Sequence, residues 1–296
     1  MMYKLITIDI DGTLLDSYGN VSDITRSTIK KAKEKGVEIV LASGRPIKST
    51  LSIAKELDIS NYIISGNGSV LLDVNQDKFV FEGFMDKEEV LEIAKFCEEN
   101  SIYYNVYTTK EIVCSQIKFN TIFYHTENIY KPISKRTDIN LVENTYKYIK
   151  KLQNPKFLKI TIADENENIF NNIVKKLKER HDLNILDTSY MSRKIIRQGS
   201  FNIEVNYYYT EITKGNINKW SAIEALAKNL KIKNSEIISI GDNFNDREMI
   251  EKAGLGVAMD NASDDVKEIA NYVTENNNED GVAKAISKFI NIPLDT

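Results

Sequence analysis

Cysteine and histidine are too few and too scattered in this chain to build the usual catalytic or metal centres. The only cysteines, Cys97 and Cys114, show neither metal-binding nor redox spacing. They read as core or surface thiols of a cytoplasmic protein. The only histidines, His125 and His181, are isolated. That leaves a zinc site or a histidine-activated nucleophile without support. No apolar run approaches the roughly 20 residues a spanning helix needs. The one early apolar run is interrupted by Asp9 and Asp11, which argues against a signal peptide. The formal charge is -4 and both signs are mixed along the chain, with no basic stripe. Neither a nucleic acid nor a membrane is expected as a partner. Nothing in the sequence speaks to the oligomeric state.

What is present is a sizeable apolar fraction, 42% of 296 residues, enough for one large or two modest domains. The runs KLITIDI (4–10), VEIVLAS (37–43), NYIIS (61–65), FNIEV (201–205) and EIISIGD (236–242) are rich in Ile and Val. Near-continuous apolar runs of this length suit strands covered on both faces. Between them, 23–36, 45–59 and 217–230 have helical spacing. Strand–helix alternation predicts a parallel, Rossmann-like α/β sheet with right-handed crossovers. The texture changes to Asn, Lys and Tyr from 83 to 190. That stretch predicts a helix over 86–100, strands near 102–107 and 111–114, and a helix over 143–152. A strand over 157–163, a helix over 165–180 and a strand over 183–189 follow. The expected organisation is therefore a discontinuous core, 1–82 and 191–296, carrying an inserted α/β cap, 83–190. The aromatics Tyr103, Tyr104, Tyr107, Phe119, Phe123 and Tyr124 read mainly as strand residues packing on cap helices.

Three core runs end in polar signatures: ITIDIDGT, IVLASGR and IISIGDNFND. In a parallel sheet the strand C-termini share one edge, and ligands bind outside it. Asp9, Asp11, Ser43, Asp242, Asn245 and Asp246 should therefore converge. Any one of these signatures alone is more often a turn or loop. Four carboxylates at one edge are a different matter, because they repel one another unless a cation sits among them. Oxygen donors without His or thiolate point to Mg²⁺. Carboxylates with Mg²⁺ suit phosphoryl transfer, and Asp is a competent nucleophile for it. Ser43 and the backbone N–H groups around Gly44 would hold the phosphoryl oxygens. Lys214, in ITKGNINKW before a helix start, would complete the cradle.

These residues resemble the motifs of the haloacid dehalogenase superfamily, and within it the Cof-type phosphatases with an α/β (C2B) cap. DIDGT, ASGR, TKG and GDNFND are similar to its four motifs, in order. The likeness continues through MIEKAGLGVAMDNASDDVKEIANYVTENNNEDGVA. The stretch containing NYYYTEI, before TKG, is longer than the family's pattern. The resemblance implies that Asp9 is nucleophile and metal ligand. Asp11 would be the acid that becomes a base, and would ligate Mg²⁺ through its backbone carbonyl. Ile10 N–H, Ser43, Gly44, Lys214 and Asn245 would hold phosphate. Asp242 would ligate the metal, with Asp246 in support, and Arg45 and Asn67 would border the substrate.

The resulting expectation is a Mg²⁺-dependent phosphatase of small phosphorylated metabolites, sugar phosphates or similar, working through an aspartyl-phosphate. A sugar phosphomutase and a catalytically silent metabolite-binding protein on the same fold remain open beside it. Asp9→Asn keeps the side chain's size and removes its charge. Phosphate release from an aryl phosphate should fall to near zero while circular dichroism stays unchanged. Near-normal activity in that variant would remove Asp9 from the chemistry.

Overall fold

The computed structural model describes residues 3–59, 61–180, 182–186, 192–198 and 201–295, with backbone alone for 192–198 and 201–205. The chain divides into two compact units. The first runs up to Arg45, then Thr50–Glu82, and from Ile217 onwards; the second holds Pro46–Ser49 and Gly83–Asn216.

The first unit begins with β1 (Leu5–Ile8), α1 (Asp23–Glu34), β2 (Glu38–Ala42), α2 (Ile47–Glu56) and β3 (Tyr62–Ser65). Two strands then double back, β4 (Val70–Asp73) and β5 (Lys78–Glu82). The second unit contributes α3 (Lys87–Glu99), β6 (Tyr103–Thr108), β7 (Ile112–Cys114), α4 (Asn120–Tyr130), β8 (Ile139–Leu141) and α5 (Thr145–Lys151). It continues with β9 (Phe157–Asp164), α6 (Glu167–Lys178), β10 (Leu183–Ile185), β11 (Ser192–Gln198) and β12 (Phe201–Lys214). Back in the first unit come α7 (Lys219–Leu230), β13 (Ile237–Gly241), α8 (Arg247–Lys252) and β14 (Leu255–Ala258). The last elements are α9 (Asp264–Ile269), β15 (Tyr272–Val273) and α10 (Gly281–Ile290). Among the described residues no helix is long and apolar enough to cross a membrane.

The first sheet has the order β15-β14-β13-β1-β2-β3-β4-β5. Pairing is parallel from β15 to β3, and antiparallel only where β4 and β5 fold back as hairpins. β1, β13 and β14 are buried along their whole length, as strands covered on both faces must be. Ile8 lies level with Leu41 of β2 and Ile240 of β13. The chain leaves β1 towards β2 on one side and returns to β13 on the other. The order thus reverses at β1, and such a switch point opens a crevice at the strand C-termini. The apolar stripe of α7 (Trp220, Ile223, Leu226) packs on Leu5, Val40, Ile64 and Ile237.

The second sheet runs β10-β12-β9-β6-β7-β8, with β11 paired to β12. One face carries Val106, Ile160, Ile162 and Ile212 against Val90, Ile93, Phe170 and Ile173 of α3 and α6. On β9 a fully buried Lys159 pairs with Glu211 of β12 at 2.5 Å and lies over the Tyr107 ring. Both cysteines are buried; burial raises the Cys97 thiol far above its usual range and Cys114 to about 11. They are inert packing residues.

Two expectations need correction, and a third lies outside the described residues. FNIEV is no core strand: it opens β12, which pairs with β9 and β10 in the second sheet, and the chain re-enters the first unit only at Ile217. The expected boundary at 190/191 falls outside the described residues, as does the part of the expected strand 183–189 beyond residue 186. Phe123 and Tyr124 lie on α4, and Phe119 immediately precedes it; only Tyr103, Tyr104 and Tyr107 are strand residues.

Phe157 is wholly buried in the second unit's core. Phe157→Ala should cost about 3–5 kcal/mol, the usual range for a phenylalanine deleted from a core. Hydrogen exchange should show the loss of protection in β6 and β9, with the amides of β1 and β13 unaffected.

Candidate active site

Each strand around the switch point hands its first following residue to the crevice. Asp9 follows β1, Ser43 follows β2 and Asp242 follows β13. Asp9 N–H bonds to the Ile240 carbonyl at 3.0 Å, so the backbone is still in sheet register where the carboxylate appears. Asp9 is 4% exposed. It accepts from Lys219 Nζ at 2.5 Å, and the same ammonium reaches Asp246 at 2.6 Å. Lys219 is the first residue of α7. Asn218 caps the helix by accepting from Ser221 N–H, which fixes where the lysine leaves the backbone.

Asp246 does more than pair. Its second oxygen accepts from the backbone N–H groups of Asp242 and Asn243, at 3.1 and 3.0 Å, and so shapes the turn after β13. A side chain at Gly241 would have its Cβ 2.5 Å from that carboxylate. Asp242 accepts from the Thr13 hydroxyl at 2.7 Å. Gly12, at φ +85°, lets the β1 loop pass so close that a Cβ there would lie 2.4 Å from Asp242 Oδ2. Asn261 Nδ2 donates to the Gly12 carbonyl at 2.8 Å and ties the same loop down.

The charge in this cluster is unbalanced. Carboxylate oxygens of Asp9, Asp242 and Asp246 lie within 4.8 Å of one another. Among the described residues, Lys219 is the one cation inserted between Asp9 and Asp246. Burial, and then Asp246, raise the Asp9 carboxyl well above its usual range, while Lys219 opposes them. Burial and then Asp246 push Asp242 up to about 7. Burial disfavours the Lys219 ammonium, but Asp246 and Asp9 outweigh it and hold the group above its ordinary value. Three crowded acids against one cation, all with oxygen donors, fit a hard divalent metal ion.

Ser43 is buried, and its Oγ accepts from Arg45 N–H at 3.1 Å. Arg45, itself buried, grips Asp11 with a two-pronged fork: Nε to Oδ2 at 2.8 Å and Nη2 to Oδ1 at 2.6 Å. Asp11 is half-exposed. Asn245 Nδ2 donates to Asn67 Oδ1 at 3.0 Å. Ile10 is buried, its carbonyl accepting from Leu14 and Leu15. The helix expected over 45–59 begins at Ile47, three residues beyond Gly44.

Lys214 is not in this cluster. It ends β12 in the second unit, 40% exposed, and pairs with Asp86 at 2.9 Å. The helix begins five residues beyond it, and Lys219 occupies the position expected of Lys214. The missed signal is NKWS, in which an Asn cap precedes a Lys on an otherwise apolar helix start.

A family model described as haloacid dehalogenase-like hydrolase matches residues 6–286. Two curated relatives come from Bacillus subtilis. 5-amino-6-(5-phospho-D-ribitylamino)uracil phosphatase YcsE is 30% identical over 287 residues, covering 97% of this chain and 96% of the relative. Phosphatase YwpJ is 29% identical over 307 residues, covering 97% and 100%. Among solved structures, a haloacid dehalogenase-like hydrolase from B. subtilis superposes with a TM-score of 0.79 at 27% identity. It covers 96% of this chain and 99% of its own.

The two lysines make a direct test. Lys219→Met leaves two buried carboxylates without their ammonium and should lower kcat by about 10²–10³-fold, the usual effect of losing one charge-stabilising donor. Lys214→Met should stay within about threefold of wild type, since exposed pairs contribute little. The reverse ranking would restore Lys214.

Proposed function

Because the chain belongs to the haloacid dehalogenase-like hydrolases and is a phosphatase of that family, we propose that it hydrolyses small phosphorylated metabolites, sugar phosphates or similar, through an aspartyl-phosphate and with Mg²⁺. The observation that carries this is the Asp9 carboxylate, buried at a switch point beside Lys219 and two further acids. Asp9 and Asp242, with the Asp11 backbone carbonyl, would hold the ion, Asp246 supporting them from behind. Bound there, Mg²⁺ would offset the repulsion between the acids and the anionic substrate.

Asp9 attacks phosphorus, the ester P–O bond breaks, and Asp11 delivers a proton to the departing oxygen. Asp11 then takes a proton from water. The hydroxide cleaves the acyl phosphate, regenerating Asp9 and releasing inorganic phosphate. One side chain can serve both halves because the first leaves it as the base that the second needs. Arg45 fits this alternation. It is buried and fixed, whereas Asp11 is half-exposed. Both Asp11 oxygens are engaged by the fork. Proton delivery therefore requires the aspartate to leave the fork, and the arginine receives it again as a carboxylate. Ser43, Asn245, Lys219 and the backbone N–H groups of Ile10 and Gly44 hold the phosphoryl oxygens.

The name of the relative YcsE specifies a phosphorylated ribityl compound. That supports a small polyol or sugar phosphate as the substrate class. Phosphate release from a panel of sugar phosphates, nucleotides and an aryl phosphate, with Mg²⁺ and with chelator, tests the reading. No release from any ester would overturn it.

Stability gives a readout apart from turnover. Asp9 and Asp242 hold protons in the folded state at pH values where the unfolded chain has lost them. Raised carboxyl pKa values of this kind make stability fall as pH rises, here from about 4, where an unfolded Asp titrates, to about 7 for Asp242. With chelator present, the contribution of these two groups should therefore lower Tm between those limits. Mg²⁺ at pH 8 should raise Tm and flatten the dependence. A Tm at pH 8 indifferent to Mg²⁺ would exclude the metal assignment.

A further inference from the structure

The turn after β3, Gly66-Asn67-Gly68, has no part in the chemistry above except as an expected border of the substrate. All three residues have positive φ, at 60°, 57° and 91°. Glycine takes such values freely, and Asn is among the few other residues that do so. The turn's polar groups point back into the site. Gly66 N–H donates to the Arg45 carbonyl and Asn67 N–H to the Ser43 carbonyl, both at 3.1 Å. The Asn67 side-chain oxygen accepts from Asn245 Nδ2 at 3.0 Å. On the other side Gly68 abuts the start of α7. A Cβ there would fall 1.9 Å from the Asn218 carbonyl oxygen and 2.9 Å from Lys219 N. One three-residue turn thus touches the segments that carry Ser43, Arg45, Lys219 and Asn245.

We propose that Asn67 is a positioning residue for phosphate binding, acting through Asn245, and that Gly68 sets the seat of Lys219. The inference rests on the phosphatase reading. Asn245 is the middle residue of a single 3₁₀ turn, Phe244–Asp246, after β13. An amide there can swing among rotamers, and ordering it when substrate binds would cost entropy. Donating one N–H to Asn67 fixes the plane of the amide in advance, leaving the other N–H for a phosphoryl oxygen. Preorganised donors of this kind stabilise developing charge without reorganising during the reaction. Asn67 is 6% exposed, which suits a residue that supports the site from behind more than one that reads the substrate.

The test is a double-mutant cycle of Asn67→Gly with Asn245→Ala. Glycine keeps the left-handed turn and removes only the amide. The readouts are kcat/KM on p-nitrophenyl phosphate and the calorimetric Kd for inorganic phosphate. Asn67→Gly should lower kcat/KM by roughly tenfold, less than the 10²–10³-fold typical of deleting a donor outright, and weaken phosphate similarly. In the Asn245→Ala background the same change should have less than a twofold effect on either quantity. Additive losses, or an Asn67→Gly protein within twofold of wild type, would overturn the proposal. Gly68→Ala should weaken phosphate beyond either single variant, and a folded Gly68→Ala protein with wild-type Kd would remove the second half. Absence of turnover in the wild type overturns the phosphatase reading alone, because the calorimetric cycle still decides the coupling.

Discussion

A lysine ammonium with no contact to solvent dominates the first unit. Lys219 sits between Asp9 and Asp246, and its side chain has no exposed surface. Removing an ammonium from water is costly, and only close opposite charge compensates. That requirement reaches into every neighbouring segment. The first turn of α7 must start at one place, which Asn218 sets by capping it. Asp246 must be within 2.6 Å, which the turn after β13 achieves by wrapping its backbone N–H groups around the same carboxylate. Gly241 and Gly12 have no side chains because acid groups occupy the space a Cβ would fill. Polar satisfaction and close packing are the same constraint here.

The sheet topology makes this cluster possible. β1 lies between β2 and β13, so its end meets the ends of two strands that are remote in sequence. Asp9, Ser43 and Asp242 need only be the first residue past each strand to converge. No long loop or unusual backbone is required for them. The unusual backbone lies one strand further on, in the 66–68 turn, where three positive φ values in succession bring backbone against the start of α7. Asn67 is the one residue of the three that is not a glycine, and a non-glycine residue in that region persists where the surroundings hold it, often at a functional site.

What the sequence disclosed follows the same division. The parallel core was legible because buried strands leave uninterrupted Ile and Val runs, and the carboxylates stand out against them. The β4–β5 hairpin is absent from the sequence reading, although VNQD is a turn between two short strands. FNIEV was assigned to the wrong sheet for a physical reason. An apolar strand does not encode its partners, and β12 finds β9 by contacts 44 to 52 residues back along the chain and β10 by contacts 27 to 31 residues back. α4 was hidden because its aromatics suggest strands and no cap residue precedes it; Phe119 stands where Ser, Thr or Asp would announce a start. Lys214 drew attention by lying beside Gly215. The helix start, which decides where a lysine can enter the crevice, lay five residues on.

The same imbalance that stresses the folded site is what a phosphoryl-transfer site requires. A nucleophilic carboxylate must be ionised, yet burial and Asp246 both favour its protonated form. Lys219 alone restores only part of the balance, since it divides its charge between Asp9 and Asp246. A second lysine would neutralise more of the acids' charge and leave less need for a divalent ion. The shortfall of positive charge leaves acids that could hold a divalent ion, which the proposed reaction would use. The three glycine and asparagine residues of the 66–68 turn belong to the same economy of space. They tie the Ser43–Arg45 segment and Asn245 together without adding charge, so the electrostatics of the cluster remain those of three acids and one lysine.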